Sequence, residues 1–295
     1  MESGRETKSR IRSVKSVQQI TSAMELISVS RLRRLESKVA MSRAYIKRLR
    51  DLIENLSSAQ ESVTHPLMAI REPRTICVLI ITSDRGLCGA YNSNIIREAH
   101  SFIEKQSGKR EVKLILIGKK GHNFFKKKPY DIIKYQPQFS KEVTFIDSQD
   151  IAQELIRSYS EERYDEIHLF FTKFTTVVHI APTRVRLLPF KSTEEIRTTG
   201  EGTKIAAEYI YEPSKEKIWE TLLPRYIETQ VYQAILESMT SEHGARMVSM
   251  KAATENAEDL ISDLTLKYNK ARQTAITKEL LEITSVTEAI RQKRG

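Results

Sequence analysis

The sequence predicts an α/β fold with long helices: an antiparallel two-helix coiled coil of the N- and C-terminal segments, plus a domain with a mainly parallel sheet. Three observations lead there. Fifteen of the eighteen Gly and Pro residues fall between Pro66 and Pro224, leaving only Gly4, Gly244 and Gly295 outside. Both flanks carry apolar residues in steps of three or four, and the middle alternates strand-like and helix-like runs.

Gly and Pro cost a helix interior about 1 and 3 kcal/mol, so the breaker-poor stretches Arg5 to His65 and Arg225 to Arg294 read as long helices. At about 1.5 Å per residue they reach roughly 90 and 105 Å, too long for a globular domain and suited to a rod. On the first, Ile11, Val14, Val17, Ile20, Met24, Ile27, Leu32, Leu35 and Val39 trace a seam that is interrupted near Ser42 and resumes at Tyr45, Leu49, Leu52 and Leu56. The last stretch offers a matching seam: Ile227, Val231, Ile235 and Met239, then Met247, Met250, Ala253, Ala257, Leu260, Leu264, Tyr268, Ala271 and Ala275. One helix enters the middle domain and the other leaves it, so a pair between them is antiparallel. The second is about ten residues longer, which leaves its C-terminal end, with the sequence Ala271 to Ile283 leading into it, to overhang by roughly 15 Å, open to a partner or to fraying.

In the middle, Ile76 to Thr82 is a β-branched apolar run, followed by a glycine-containing turn and a helix from Asn92 to Lys105. Val112 to Ile117 forms a second strand, Ser148 to Ser160 a helix and Glu166 to Phe171 a third strand. Strand and helix in alternation imply an α/β sheet, and near-continuous apolar strands imply burial on both faces. Ligands of such sheets bind at the carboxyl ends of strands, where Ser83-Asp84-Arg85-Gly86-Leu87-Cys88-Gly89 falls. That turn has neither G-x-x-x-x-G-K-[ST] nor G-x-G-x-x-G spacing, nor does Gly118-Lys119-Lys120-Gly121. It reads instead as a tight turn whose glycines take φ > 0 and whose Asp84 and Arg85 hold neighbouring loops.

The net charge is +10, and residues 1–60 hold thirteen Lys or Arg against six Asp or Glu. Such a surplus suits nucleic acid, an anionic membrane or an acidic protein surface. No recognition module for nucleic acid accompanies it, so a basic nucleic-acid-binding coiled coil stands only as the alternative. No apolar run is long enough to span a bilayer, and the N-terminus lacks the apolar core of a secretory signal. Six scattered His and two Cys, Cys77 and Cys88, form no metal-ligand or catalytic pattern, so no catalytic residue, cofactor or metal is expected.

Three stretches together resemble the gamma subunit of F-type ATP synthases, the central rotor shaft. They are Ile20-Thr21-Ser22-Ala23-Met24-Glu25 with Arg33-Arg34; SDRGLCGAYNSNI from Ser83 to Ile95; and Ser241-Glu242-His243-Gly244-Ala245-Arg246-Met247 with Leu266 to Gln273 and Ala275 to Glu279. The resemblance implies a coiled-coil helix over 1–65, a Rossmann-like α/β domain over 66–212 and a second coiled-coil helix over 213–295. It also implies a non-catalytic subunit inside a hexamer of alpha and beta subunits, its base binding the epsilon subunit and the membrane c-subunit ring. The implied location is the cytoplasmic face of a bacterial inner membrane, peripheral to it and without insertion. Carried over position by position, the coupling residues are Met24, Arg33, Arg34, Glu242, Arg246, Arg272, Gln273 and Thr277, with Tyr211 and Glu212 facing the c ring. Met24 serves equally as a seam residue, and Arg272 as a solvated charge.

The chain departs from the family pattern in places. Gly244 stands where Ala is usual and adds a possible kink, Ala90-Tyr91 stands where Gly-Leu is frequent, and the usual glycines after Ile283 are missing. Lys191 to Leu223 contains no Cys, so the thiol-regulated insertion of chloroplast members is absent.

Overall fold

The computed structural model describes residues 4–58, 65–139, 143–177, 179–190 and 214–292. Two helices dominate it, α1 (Gly4–Ser58) and α5 (Lys215–Gln292). Between them lie β1 (Thr75–Ile81), α2 (Tyr91–Ser107), β2 (Glu111–Ile117), α3 (Lys119–Phe125), β3 (Asp131–Gln136), α4 (Phe145–Ser160), β4 (Glu166–Phe174) and β5 (Ile180–Leu188). The chain divides into two compact units, Ser28–Arg246 and the pair Met1–Ile27 with Met247–Gly295.

In the first unit the strands run in the order β3-β2-β1-β4-β5. β1 pairs parallel with β2 and β4, β2 pairs parallel with β3, and only β5 runs antiparallel. Side chains alternate across the sheet. Ile76, Val78 and Ile80 pack against Ile95, Ala99, Phe102 and Ile103 of α2, whereas Cys77, Leu79 and Ile81 join a core with α4, α1 and α5. Both faces are therefore covered, as near-continuous apolar strands require. The edge strands β3 and β5 escape sequence reading because they are half-exposed and polar, and β5 carries Pro182, which an edge tolerates.

Two expectations about the helices of this unit are corrected. α5 begins ten residues before Arg225 and contains Pro224. A proline inside a helix costs about 3 kcal/mol, but Trp219 and Leu223 are buried in the core just before it, and each contributes roughly 1.5 to 3 kcal/mol. Second, the α1 seam has no interruption at Ser42, which is itself buried; Ile46 and Ile53 face inward, while Tyr45 and Leu52 are exposed. Within this unit the buried line runs Leu32, Leu35, Val39, Ser42, Ile46, Leu49, Ile53 and Leu56, in strict steps of three and four. α1 is described to Ser58, and of its expected reach to His65 the residues 59–64 lie outside the described residues.

In the second unit the same steps continue, but through small and polar residues. Thr7 and Thr21 are buried, Ile11 and Val14 partly so, while the expected seam residues Val17, Ile20 and Ile27 are exposed. On α5, Met250, Ala257 and Leu264 are buried and Ile261 faces inward in place of Leu260. Thr254 Oγ1 meets Thr21 Oγ1 at 2.8 Å, and Thr21 donates on to the Gln18 carbonyl at 3.0 Å. That antiparallel register sets Gly4 level with Ala271. From Arg272 to Ser285 every residue of α5 is exposed, Ile276, Leu280, Leu281 and Ile283 among them.

Candidate functional site: the turn after β1 and the helix it grips

Strand order reverses at β1, whose neighbours β2 and β4 lead the chain to opposite sides, and doubly wound sheets place ligands in the crevice beyond the strand ends at such a point. Here the crevice faces one stretch of α5. Ser238 Oγ lies 2.8 Å from the Tyr91 hydroxyl, and Ser241 Oγ donates to the Thr172 carbonyl on β4 at 3.0 Å. Arg246 donates from Nη2 and Nε to the Gly86 carbonyl, at 3.1 and 3.3 Å. Glu242 closes the arrangement, with one carboxylate oxygen 2.7 Å from Arg246 Nη2 and the other accepting from the Gln138 side-chain amide.

The turn is organised from within. Asp84 Oδ1 accepts from the backbone amides of Lys119 at 2.8 Å and Gln138 at 3.0 Å, so the ends of β1, β2 and β3 are tied together. The expectation that Asp84 holds neighbouring loops is met there. Asn92 takes the Ser83 amide at 3.0 Å and donates to Cys88 Sγ at 3.2 Å. Gly89 adopts positive φ as expected of a turn glycine, but the other left-handed position is Leu87, φ 61°, and not Gly86. Burial is the main cause that raises the Cys88 thiol pKa, and it raises the Tyr91 hydroxyl well above its ordinary range, so both are neutral hydrogen-bonding groups here.

A second polar contact lies close by on α5. Glu237, buried, accepts from Arg43 Nε of α1 at 2.9 Å, from Gln233 at 2.7 Å and from the Phe174 amide at 3.3 Å. A buried carboxylate costs several kcal/mol unless it is paired and hydrogen-bonded, and this one is both. His243 follows, its pKa pushed down to about 4 by burial first and then by Arg246 and Arg31. Burial on nearly every side of α5 from Tyr226 to Gly244 explains why a polar run such as Glu237-Ser238-Met239-Thr240-Ser241-Glu242-His243 sits inside the protein.

The residues named from sequence separate into three groups. Glu242 and Arg246 come together, 4 % and 6 % exposed, and spend their charge inside the chain. Arg33 and Arg34 lie exposed on α1, flanking the buried Leu32 and Leu35. Met24 is half-buried in the second unit, while Arg272, Gln273 and Thr277 lie together on the exposed end of α5, where Thr277 Oγ1 donates to the Gln273 carbonyl at 2.9 Å. Tyr211 and Glu212 lie outside the described residues. Gln138 and Ser238 were missed. Nothing in their own segments marks them, because each is defined by a partner about 100 or more residues away.

Among the described residues no group of His, Cys, Asp or Glu is placed to hold a metal ion, and no helix is long and apolar enough to cross a membrane.

The family model described as ATP synthase matches residues 3–290. The chain is 41 % identical over 290 residues to the ATP synthase gamma chain of Pelotomaculum thermopropionicum, covering 98 % of this chain and all of that one. It is 42 % identical over 292 residues to that of Geotalea uraniireducens, covering 99 % and 100 %. In structure it resembles a chain of the Euglena gracilis mitochondrial ATP synthase, OSCP/F1/c-ring, with a TM-score of 0.70 at 19 % identity over 99 % of this chain and 96 % of that one. It also resembles a chain of the Tetrahymena thermophila central stalk and c-ring, with a TM-score of 0.59 at 24 % identity over 79 % and 99 %. These matches do not favour a nucleic-acid-binding coiled coil. Matched over nearly its whole length in sequence and in the order of its long helices and sheet, the chain belongs to the ATP synthase gamma chain family.

Proposed function

We propose that this chain is the central-stalk rotor of a proton-translocating F-type ATP synthase, non-catalytic itself, and that it turns inside a hexamer of alpha and beta subunits. Its base binds the epsilon subunit and the c ring at the cytoplasmic face of a bacterial inner membrane. The observation that carries the reading is the second unit. Val17, Ile20, Leu26 and Ile27 of α1, with Leu266, Leu280, Leu281 and Ile283 of α5, leave large apolar side chains exposed within one unit, which fits helices whose outer sides meet a partner.

The mechanism follows from differential contact. Three chemically identical beta subunits adopt different nucleotide affinities only if the rotor touches each differently, since a partner shifts an equilibrium only by its difference in affinity for the two states. An antiparallel pair in which every α5 residue from Arg272 to Ser285 is exposed is asymmetric about its axis and meets that requirement. Contacts that are exchanged at every step must also be weak, and exposed charges such as Arg33, Arg34 and Arg272 form pairs worth only about 0 to 1 kcal/mol. Glu242 and Arg246 take a different part in coupling: they hold α5 to the turn after β1.

The test is isolation of the ATP synthase from the source cells. One copy of this chain per alpha-beta hexamer is expected. A fully coupled synthase assembled without it would refute the proposal, and strong salt-sensitive retention of the isolated chain on DNA or RNA would favour the alternative.

A further inference from the structure

The crevice beyond β1 and β4 is the ligand position of a doubly wound sheet, yet its polar groups are used by α5: Thr172 by Ser241, Tyr91 by Ser238 and the Gly86 carbonyl by Arg246. A helix is a cylinder about 10 to 12 Å across, and apolar packing alone resists its rotation about its own axis weakly because such contacts are non-directional. Hydrogen bonds to several strand ends are directional and resist that rotation. Gln138 occupies the central place among them. Its backbone amide is bound to Asp84, which also holds Lys119, and its side-chain amide is bound to Glu242, which holds Arg246. One residue thus connects the ends of β1, β2 and β3 to a single turn of α5.

We propose that Gln138 is a positioning residue of the rotor, the pin through which twist applied to the α/β domain is passed to α5. This rests on the rotor reading. The crevice where doubly wound sheets commonly hold ligands serves here as a socket for the helix.

The experiment uses the complete synthase in sealed vesicles, carrying the wild-type chain, Gln138→Met, Gln138→Glu, or Gln138→Glu combined with Glu242→Gln. The quantity read is ATP-driven proton pumping per ATP hydrolysed, in washed vesicles matched for assembled complex and for passive proton leak, so that reduced assembly or stability does not enter the ratio. Gln138→Met keeps the side-chain length and loses the hydrogen bond, and the ratio falls at least about twofold, as expected for loss of a hydrogen bond to a charged group. Gln138→Glu sets two carboxylates against each other and lowers the ratio further. The double variant restores an amide-carboxylate pair with the roles exchanged and recovers most of the ratio. An unchanged ratio in Gln138→Met, or no recovery in the double variant, overturns the pin. Failure of the wild-type chain itself to restore pumping to a complex that lacks it would instead overturn the rotor reading. Should a variant complex not assemble, hydrogen exchange of the Ser83–Gly89 amides in the free full-length chain decides: faster exchange in Gln138→Met supports the pin, and unchanged exchange overturns it.

Discussion

Replacing Gly244 by Ala should stabilise the first unit, although glycine at a buried helix position suggests that no side chain fits. α5 is helical on both sides of residue 244, which has Leu32, Phe174 and Val177 around it. A methyl group built there would meet Phe174 Cε2 at 3.5 Å, Leu32 Cδ1 at 3.9 Å and the Val177 Cα at 3.9 Å, all ordinary van der Waals contacts. Two effects then act in the same direction. Glycine in a helix interior costs about 1 kcal/mol relative to alanine, and burying one methyl contributes about 0.8 kcal/mol. Since part of the helix penalty concerns the unfolded chain, the net gain is about 1 to 2 kcal/mol. For a unit of this size that corresponds to a rise in melting temperature of roughly 3 to 6 °C. Thermal unfolding of the full-length chain, followed by circular dichroism in wild type and Gly244→Ala, measures it. An unchanged or lower midpoint would show that the Leu32 and Phe174 side chains cannot accept the methyl, and the argument from contact distance would fail.

Two further outcomes follow from the same unit. His243 has a folded pKa of about 4 against an ordinary value of 6.5, so between these pH values the unfolded chain binds more protons and stability rises with pH. The contribution, on the order of 3 kcal/mol, is fully present above pH 6.5 and is lost as pH falls through 4; urea midpoints from pH 7 to 4 should fall less steeply for His243→Phe, and equal slopes would refute the assignment. Gly118 is the opposite case to Gly244. It sits at φ 97°, and a methyl there would lie 2.1 Å from the Thr82 carbonyl oxygen, so Gly118→Ala should cost about 3 to 5 kcal/mol, read as a lowered urea midpoint or loss of soluble chain; a midpoint within error of wild type would count against the geometry of this turn.

Much of the fold was legible before any coordinates, and the places where reading failed have a common cause. The run Ile76 to Thr82 could be placed because both faces of a central strand are apolar. β3 and β5 could not, because an edge strand keeps one side toward water and tolerates Pro182. The seam of α1 was misplaced by one position at Val17, Ile20 and Ile27 because apolar residues were followed there, whereas the geometric repeat runs through Thr21 and Ser28. Small polar side chains fit where two helices approach closely and satisfy their hydroxyls locally, as Thr21 and Thr254 do. Extending the three-four spacing upstream from Leu32 would have found them. For the candidate site, Glu242 and Arg246 were visible as part of a motif, but their burial and their bonds to Gln138 and Gly86 were not.

The sequence by itself determined the two long helices, α2, α4 and the central strands, the antiparallel sense of the α1 and α5 pairing and the family, because breakers, periodicity and motifs are local or depend only on chain order; the short helix α3, which begins at Lys119 in a glycine-flanked stretch, was not among them. Tertiary structure alone decided which polar residues are spent inside the protein. Hydrogen bonds join Arg43 to Glu237, Gly86 to Arg246 and Gln138 to Glu242 across distances of 100 residues or more, and no periodicity encodes such pairs. A charge reads the same in sequence whether it waits for a partner subunit or holds a helix in its socket. Only the surroundings that remove water from it distinguish the two.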